Sequence, residues 1–173
     1  DLIDFHAAGH TKIMGNIIVK GNGIRTLQKL GNLLTEINGS LRLECSTLTS
    51  LDGLYGLKTI TDSLIITKGS MTSFEGLQNL ETIGGSLKVI ASSKSLTALK
   101  SFQGLSSLKS IGGDFEVNAS SYYSLTALES FEGLENLQTI GGSLKVIASS
   151  SKSSESSSKS LTALKSFQGL SSL

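Results

Sequence analysis

Several residue types are scarce or absent in this chain, and each absence excludes a class of protein. The 173 residues include no proline and no tryptophan, and aromatic residues make up only 5%. Fifteen basic and 14 acidic residues give a net charge of +1, so the chain has no excess of positive charge for binding nucleic-acid phosphates. No apolar run reaches membrane-spanning length. We therefore expect no nucleic-acid partner and no membrane span.

Residues that hold metals or form disulfides are also scarce. Cys45 is the only cysteine and cannot form an internal disulfide, so we expect a small residue near a strand end. Asp4, His6 and His10 could be imagined as metal ligands, but their spacing matches no known metal site. A polar N-terminal cap over residues 1–12 is the simpler interpretation. We expect no metal and no cofactor.

The chain contains an internal repeat instead. An aliphatic residue, a two-residue turn with Gly or Asp in second place, a spacer and another apolar residue recur six times. The anchoring isoleucines are 24, 23, 23, 28 and 29 residues apart, which is the period of stacked solenoid coils. They are Ile13, Ile37, Ile60, Ile83, Ile111 and Ile140.

The apolar pattern within each repeat predicts the fold. Apolar residues alternate as in short strands, and a third segment of the form Ser-Leu/Phe-x-Gly-Leu adds another apolar column and a Gly turn. We predict an all-β parallel solenoid of about six coils of 23–29 residues, with three short strands per coil around a filled interior. It forms a single domain over residues 1–173.

The two-residue turns allow a finer prediction. Their first position varies, whereas the second holds Gly or Asp, which tolerate left-handed backbone. We therefore predict positive φ at the second position, occupied by Gly15, Gly39, Asp62, Gly85, Gly113 and Gly142.

Charged residues give an independent prediction of register. Equivalent residues of successive parallel coils lie about 4.8 Å apart, so opposite charges should alternate along a column. Three columns alternate in this way: Lys88, Glu116 and Lys145; Lys100, Glu129 and Lys165; and Lys58, Glu81 and Lys109, followed by Gln138.

Serine-rich segments interrupt the later repeats. Residues 149–160 contain no apolar residue, and we expect a flexible insertion there. The shorter loops at 92–95 and 119–124 should leave the same corner, as a solvated fringe or as a binding rim. Adjacent tyrosines at a loop tip, Tyr122 and Tyr123, are the candidate contact residues for the second alternative.

The last coil is incomplete, because the segment 170–173 stops where earlier copies continue into the next turn. Residues 11–17 resemble the missing half, so an uncovered coil could be completed by a second molecule stacked head to tail. Truncation of a longer repeat array is the alternative.

Two sequons, at Asn38 and Asn118, would suit a secreted protein. Chance explains them equally well in a serine-rich chain. Asn38 also occupies the inter-strand turn, where Asn is favoured for backbone reasons.

The repeated phrase carries a family resemblance. The stretches 11–19 and 35–43, with the later Leu-x-x-Ile-Gly-Gly-x-Leu copies, resemble the receptor L-domain family, whose members include ligand-binding domains of insulin and epidermal-growth-factor receptors. The resemblance implies a right-handed, leucine-rich β-helix in an extracellular or cell-surface setting. The chain lacks the receptors' cysteines and Cys-rich module, and it looks more like a free-standing relative.

Catalysis is not expected, because the acidic residues are not gathered into an acid/base pair. Asp52, Glu75 and Glu132 share one column with Gln103 and Gln168. We expect a non-catalytic structural or adhesion module whose partner is a protein, either a second copy or a surface or matrix protein. The alternative is a receptor-like protein-ligand-binding domain.

Overall fold

The strands of this chain run parallel and wind into a β-solenoid. The computed structural model describes residues 9–92, 94–120, 123–148, 161 and 163–173. Within these residues the only helix is a single 3-10 turn at Gln28–Leu30. The described chain is therefore all-β, with almost no helix.

Two parallel sheets of six strands form the solenoid. The first sheet contains β1 (Lys12–Met14), β3 (Glu36–Asn38), β5 (Thr59–Ile60), β7 (Thr82–Ile83), β9 (Ser110–Ile111) and β11 (Thr139–Ile140). The second contains β2 (Ile17–Gly21), β4 (Leu41–Cys45), β6 (Leu64–Ile66), β8 (Leu87–Ile90), β10 (Phe115–Ala119) and β12 (Leu144–Ala148). Each repeat supplies one strand to each sheet.

The register of both sheets follows the sequence repeat. Ile60 pairs with Ile37 on one side and with Ile83 on the other, and Ile111 pairs with Ile83 and Ile140. Residues alternate between buried and half-buried along β4 and β10, as a strand with one face on the core requires. The predicted stacking of equivalent isoleucines is confirmed.

A column of stacked phenylalanines lies in the interior. Consecutive ring centroids are 5.2 Å apart between Phe74 and Phe102, 5.3 Å between Phe102 and Phe131, and 5.4 Å between Phe131 and Phe167. Phe115 of the second sheet meets Phe102 and Phe131 edge-on. Both geometries are favourable for aromatic pairs, so this cluster joins the two sides of the core.

The third segment of each repeat is not a strand, and that prediction is wrong. Leu77 N–H donates to Phe74 O at 3.1 Å, and Leu80 N–H donates to Leu77 O at 3.0 Å, so the segment forms consecutive turns. Its glycines have positive φ, for example 104° at Gly104, which takes the backbone out of the extended conformation. Bonds between repeats persist, since Phe102 N–H donates to Glu132 O at 2.9 Å.

Positive φ in the turn between the two sheets is confirmed only for the first two repeats, with 121° at Gly15 and 154° at Gly39. The prediction is wrong for Asp62, Gly85, Gly113 and Gly142.

Close approach between repeats explains the later glycines instead. A Cβ on Gly112 would lie 2.1 Å from the carbonyl oxygen of Gly84, and one on Gly141 would lie 2.2 Å from that of Gly112. A Cβ on Gly113 would lie 2.6 Å from Ser86 Oγ. These turns lack side chains because the repeats touch there through their backbones.

The charged columns lie in the predicted register. Glu116 is paired in the sheet with Lys88 and Lys145, and backbone bonds link Lys100, Glu129 and Lys165, as well as Lys58, Glu81, Lys109 and Gln138. Ion pairs form at 2.7 Å between Lys109 and Glu81 and at 3.2 Å between Lys165 and Glu129. Such exposed pairs contribute only about 0–1 kcal/mol each, so they act mainly on register.

Several predicted features lie outside the described residues. They are Asp4 and His6, most of the N-terminal cap, Tyr122 and the Ser-rich insertion 149–160. Of the proposed cap, residues 9–11 precede β1 and Lys12 begins it.

The part of the chain that the structure describes contains no helix long and apolar enough to cross a membrane.

We predict that Gly112→Ala lowers the free energy of unfolding by about 1–3 kcal/mol, because its Cβ would overlap the backbone of the preceding repeat. Ser107→Ala, at a half-buried position on the preceding turn of the same repeat, should change it by less than about 0.5 kcal/mol. Urea unfolding of both variants measures the difference. Equal effects would contradict the close-approach explanation.

We predict that Phe102→Ala costs about 3–5 kcal/mol, because the ring is fully buried within the stack. Phe102→Leu should cost about 1.5 kcal/mol, since Leu51 occupies the same position in an earlier repeat and is fully buried. Thermal and urea unfolding would measure both. A leucine variant as damaged as the alanine variant would show that ring stacking itself is required.

Candidate interaction surfaces

A ladder of polar side chains runs through the turns between the two sheets. Ser40 N–H donates to Asn16 Oδ1 at 2.7 Å, and Ser63 N–H donates to Ser40 Oγ at 3.3 Å. The same bond recurs in later repeats, from Ser86 N–H to Ser63 Oγ, from Asp114 N–H to Ser86 Oγ and from Ser143 N–H to Asp114 Oδ1. Each side-chain oxygen thus accepts the backbone N–H of the next repeat, and these residues fix one repeat on another.

Asp114 carries the only charge among these six ladder residues. Its Oδ1 accepts Ser143 N–H at 2.8 Å, and its Oδ2 accepts Lys145 Nζ at 2.7 Å. The bond from Lys145, followed by that from Ser143 N–H, lowers the pKa of the Asp114 carboxyl, and the same contact raises the pKa of Lys145. Lys145 therefore pairs with Asp114 rather than with Glu116, its neighbour in the sheet.

The outer face of the second sheet mixes aliphatic and charged side chains. Ile18 is 52% exposed and Ile147 is 39% exposed, while Ile65 and Ile90 are half-buried on the same face. The charges of this face are paired internally, as in the bridge between Arg42 and Glu44. Exposed aliphatic groups on a regular sheet are a feature of protein interfaces.

A polar groove lies along the corner formed by the third segments. We call it the corner groove; its volume is about 460 Å³. Glu75, Gln103 and Glu132 form one wall, which corresponds to the column that argued against catalysis. The other wall holds Gln78, Ser106 and Glu135, and Gly104 and Gly133 line the space between the walls.

A second hollow, of about 270 Å³, includes Asp52 and Tyr55 of the preceding repeat. Tyr55 Oη donates to Asp52 Oδ1. That bond, burial and the negative charges of Asp52 and Glu75 raise the pKa of Tyr55.

The tyrosine loop is described only from Tyr123 onward. Tyr123 is 39% exposed and has φ 49°, whereas Leu125, two residues later, has φ 48° and is fully buried. Lys94 and Leu96 repeat this conformation in the preceding repeat, with φ 56° and 52°. The two loops therefore share one backbone path, which places a leucine in the core.

The two sequon asparagines differ in their surroundings. Asn38 is exposed in the inter-strand turn, where its Oδ1 accepts Thr61 Oγ1 at 3.1 Å. Asn118 is half-buried in β10, where its Nδ2 donates to Glu116 Oε1 at 3.1 Å. Both lie on repeat surfaces rather than in the core.

Cys45 is the last residue of β4 and is fully buried, with Sγ donating to Ile24 O at 3.2 Å, as its predicted place near a strand end requires. Within the described part of the chain, no group of three or more His, Cys, Asp or Glu side chains could hold a metal ion.

The sequence contained a signal for the corner groove that residue-type reasoning missed. Residue type alone identifies Asp52, Glu75 and Glu132 as candidate catalytic acids and gives no reason to single out Glu135. The useful signal was the lack of any lysine or arginine in these columns, whereas the other charged columns alternate in sign.

We predict a pH-dependent effect of Asp114→Asn. An amide keeps an oxygen for Ser143 N–H but loses the ion pair with Lys145. Because the folded-state pKa of Asp114 is lowered, its contribution is present above its unfolded value of about 3.9 and is lost as pH falls through the folded value. The variant should therefore be less stable than the parent at pH 7, and the difference should narrow at pH 3. Urea unfolding at both pH values tests this, and a difference independent of pH would contradict it.

Comparison with known proteins gives no relative: the chain matches no protein-family model, no curated protein and no solved structure.

Proposed function

We propose that this chain is a non-catalytic structural or adhesion module of an extracellular or cell surface, related to receptor L domains. In this proposal it forms a right-handed, leucine-rich β-helix of about six coils of 23–29 residues. Its regular parallel columns and internally paired surface charges support a scaffold role. The resemblance of residues 11–19 and 35–43 to L-domain repeats supports the relationship, and the sequons at Asn38 and Asn118 suit the location.

The proposed module self-assembles head to tail. The observation that supports self-assembly is the exposure of the last described strand, β12. Leu144 of β12 is 42% exposed, although its sheet neighbour Phe115 and the next residue in the column, Leu87, are fully buried. Phe167, the last ring of the phenylalanine stack, is 57% exposed. An apolar strand edge of this kind is stabilised by another layer of the same architecture.

The first strands of a second copy have the chemistry to cover this edge. Ile17 and Val19 of β2 pack on the core, as Val146 of β12 does, and Leu144 is the sheet partner of the core residue Phe115. The polar ladder would also continue, with Ser143 Oγ placed to accept the N–H of Asn16 in the second copy. Such heterologous contacts do not close and produce filaments.

A second candidate function, binding a protein ligand, is favoured by the exposed isoleucines of the second sheet's outer face. There the ligand would contact Ile18, Ile65, Ile90 and Ile147 rather than the end of the solenoid.

We predict that sedimentation velocity shows concentration-dependent association, and that Leu144→Glu abolishes it. Ile65→Glu is the matched control, because it adds the same charge to the outer face in mid-sheet, between Arg42 and Lys88. It should leave association unchanged.

A chain that stays monomeric at all concentrations would contradict self-assembly. If association is instead lost in Ile65→Glu and kept in Leu144→Glu, the outer face is the contact surface. Circular dichroism of both variants establishes that the fold is retained.

A further inference from the structure

The corner groove differs in charge from the rest of the surface. Elsewhere in the described chain, most acidic side chains form ion pairs with lysine or arginine, as in Glu36–Lys12, Glu81–Lys109 and Glu129–Lys165. The exceptions, Asp52 and Asp62, accept hydrogen bonds from hydroxyl groups instead. The groove contains Glu75, Glu132 and Glu135 and no basic residue. Its negative charge is therefore not cancelled locally, in contrast to the alternating columns.

The two carboxylates on the first wall are available to a partner. Glu75 and Glu132 are exposed, and within the described residues no ion pair or side-chain hydrogen bond is formed by either carboxylate. Glu135 is partly engaged, because its Oε1 accepts Gly133 N–H at 2.8 Å. That bond holds the opposite wall in place.

The floor of the groove is bare backbone for a physical reason. A Cβ on Gly104 would lie 2.3 Å from the backbone of Phe74, and one on Gly133 would lie 2.3 Å from Phe102 O. Glycine is required at both positions because the preceding repeat lies so close, and the same two glycines line the groove. The groove is continuous and preformed, which lowers the entropic cost of binding an elongated ligand.

Tyr55 lies in the neighbouring hollow, which belongs to the preceding repeat. The charge of Glu75, in the next repeat, contributes to raising the pKa of Tyr55, together with the larger effect of Asp52. The negative charge of Glu75 thus adds to that of Asp52 beside Tyr55.

We propose that the corner groove is a docking surface for an extended, lysine- or arginine-rich segment of a partner protein, with basic residues three positions apart. Glu75 and Glu132 are separated by two repeats, which is about 10 Å at the strand spacing of a sheet. Three residues of a polyproline II helix span about 9.3 Å and return a side chain to the same face. The two carboxylates would then contact consecutive basic residues, and Gln103 would lie between them with its amide free for the peptide backbone.

This surface is separate from the strand edge used in self-assembly, so the two proposals can fail independently. The probe is a peptide of repeated Lys-Pro-Pro units, and its control has the same composition with the lysines clustered at one end. Binding is measured by fluorescence anisotropy at low and at physiological salt. We expect the periodic peptide to bind more tightly than the clustered one and to weaken with salt.

The matched variants are Glu75→Gln/Glu132→Gln in the groove and Glu81→Gln/Glu129→Gln in the paired columns, which change net charge equally. The groove variant should weaken binding at least tenfold, and the control variant should stay within twofold. If both variants lose peptide affinity equally, the binding depends only on the net charge of the protein, and the proposal is overturned. Absence of binding, equal binding of the clustered peptide, or equally tight binding of spermine would overturn it as well.

Discussion

Backbone contact between successive repeats is the constraint on which the structure depends. At Gly112 and Gly133 the preceding repeat lies so close that a Cβ would fall within 2.3 Å of its carbonyl oxygen. At these two positions the contact can form only because no side chain is present, and it shares its register with the rest of the repeat. The isoleucine pairs, the phenylalanine stack and the polar ladder through Asp114 are consequences of that register.

The same constraint shapes the surface. Equivalent residues of successive repeats lie about one strand spacing apart. The outward side chains at one repeat position therefore form a column along the solenoid, and their charge or polarity recurs at that spacing. Columns of alternating charge neutralise themselves, as Glu81 and Lys109 do. A column of one sign keeps its field, and the glycine floor turns it into the corner groove. Interaction surfaces on such a protein are thus properties of columns rather than of single residues.

Much of the fold could be predicted from the sequence, because the spacing of the repeats determines which residues of successive coils pair with one another. Ile83, Ile111 and Ile140 lie where the pattern places them. The conformation of the glycines could not be predicted in this way. A glycine required by positive φ and one required by close approach of the preceding repeat look alike in a sequence. Gly113 is of the second kind, because its Cβ would lie 2.6 Å from Ser86 Oγ. Because the sequence does not reveal the backbone conformation of a glycine such as Gly104, the turns of the third segment could not be distinguished from a strand. The groove could not be predicted either, because its two walls are separate columns that lie side by side only through the turns of the third segment.

The most direct test of the account is a cross-link that depends on register. Ser110 Oγ lies 3.5 Å from Thr82 Oγ1, and the two residues are sheet partners, within reach of a disulfide. In a Cys45→Ser background, Thr82→Cys/Ser110→Cys should oxidise to an internal disulfide without loss of structure. Thr82→Cys/Thr139→Cys, two repeats apart at about 10 Å, should not. Cross-linking of the distant pair in the monomer, or none in the adjacent pair, would contradict direct stacking of the repeats.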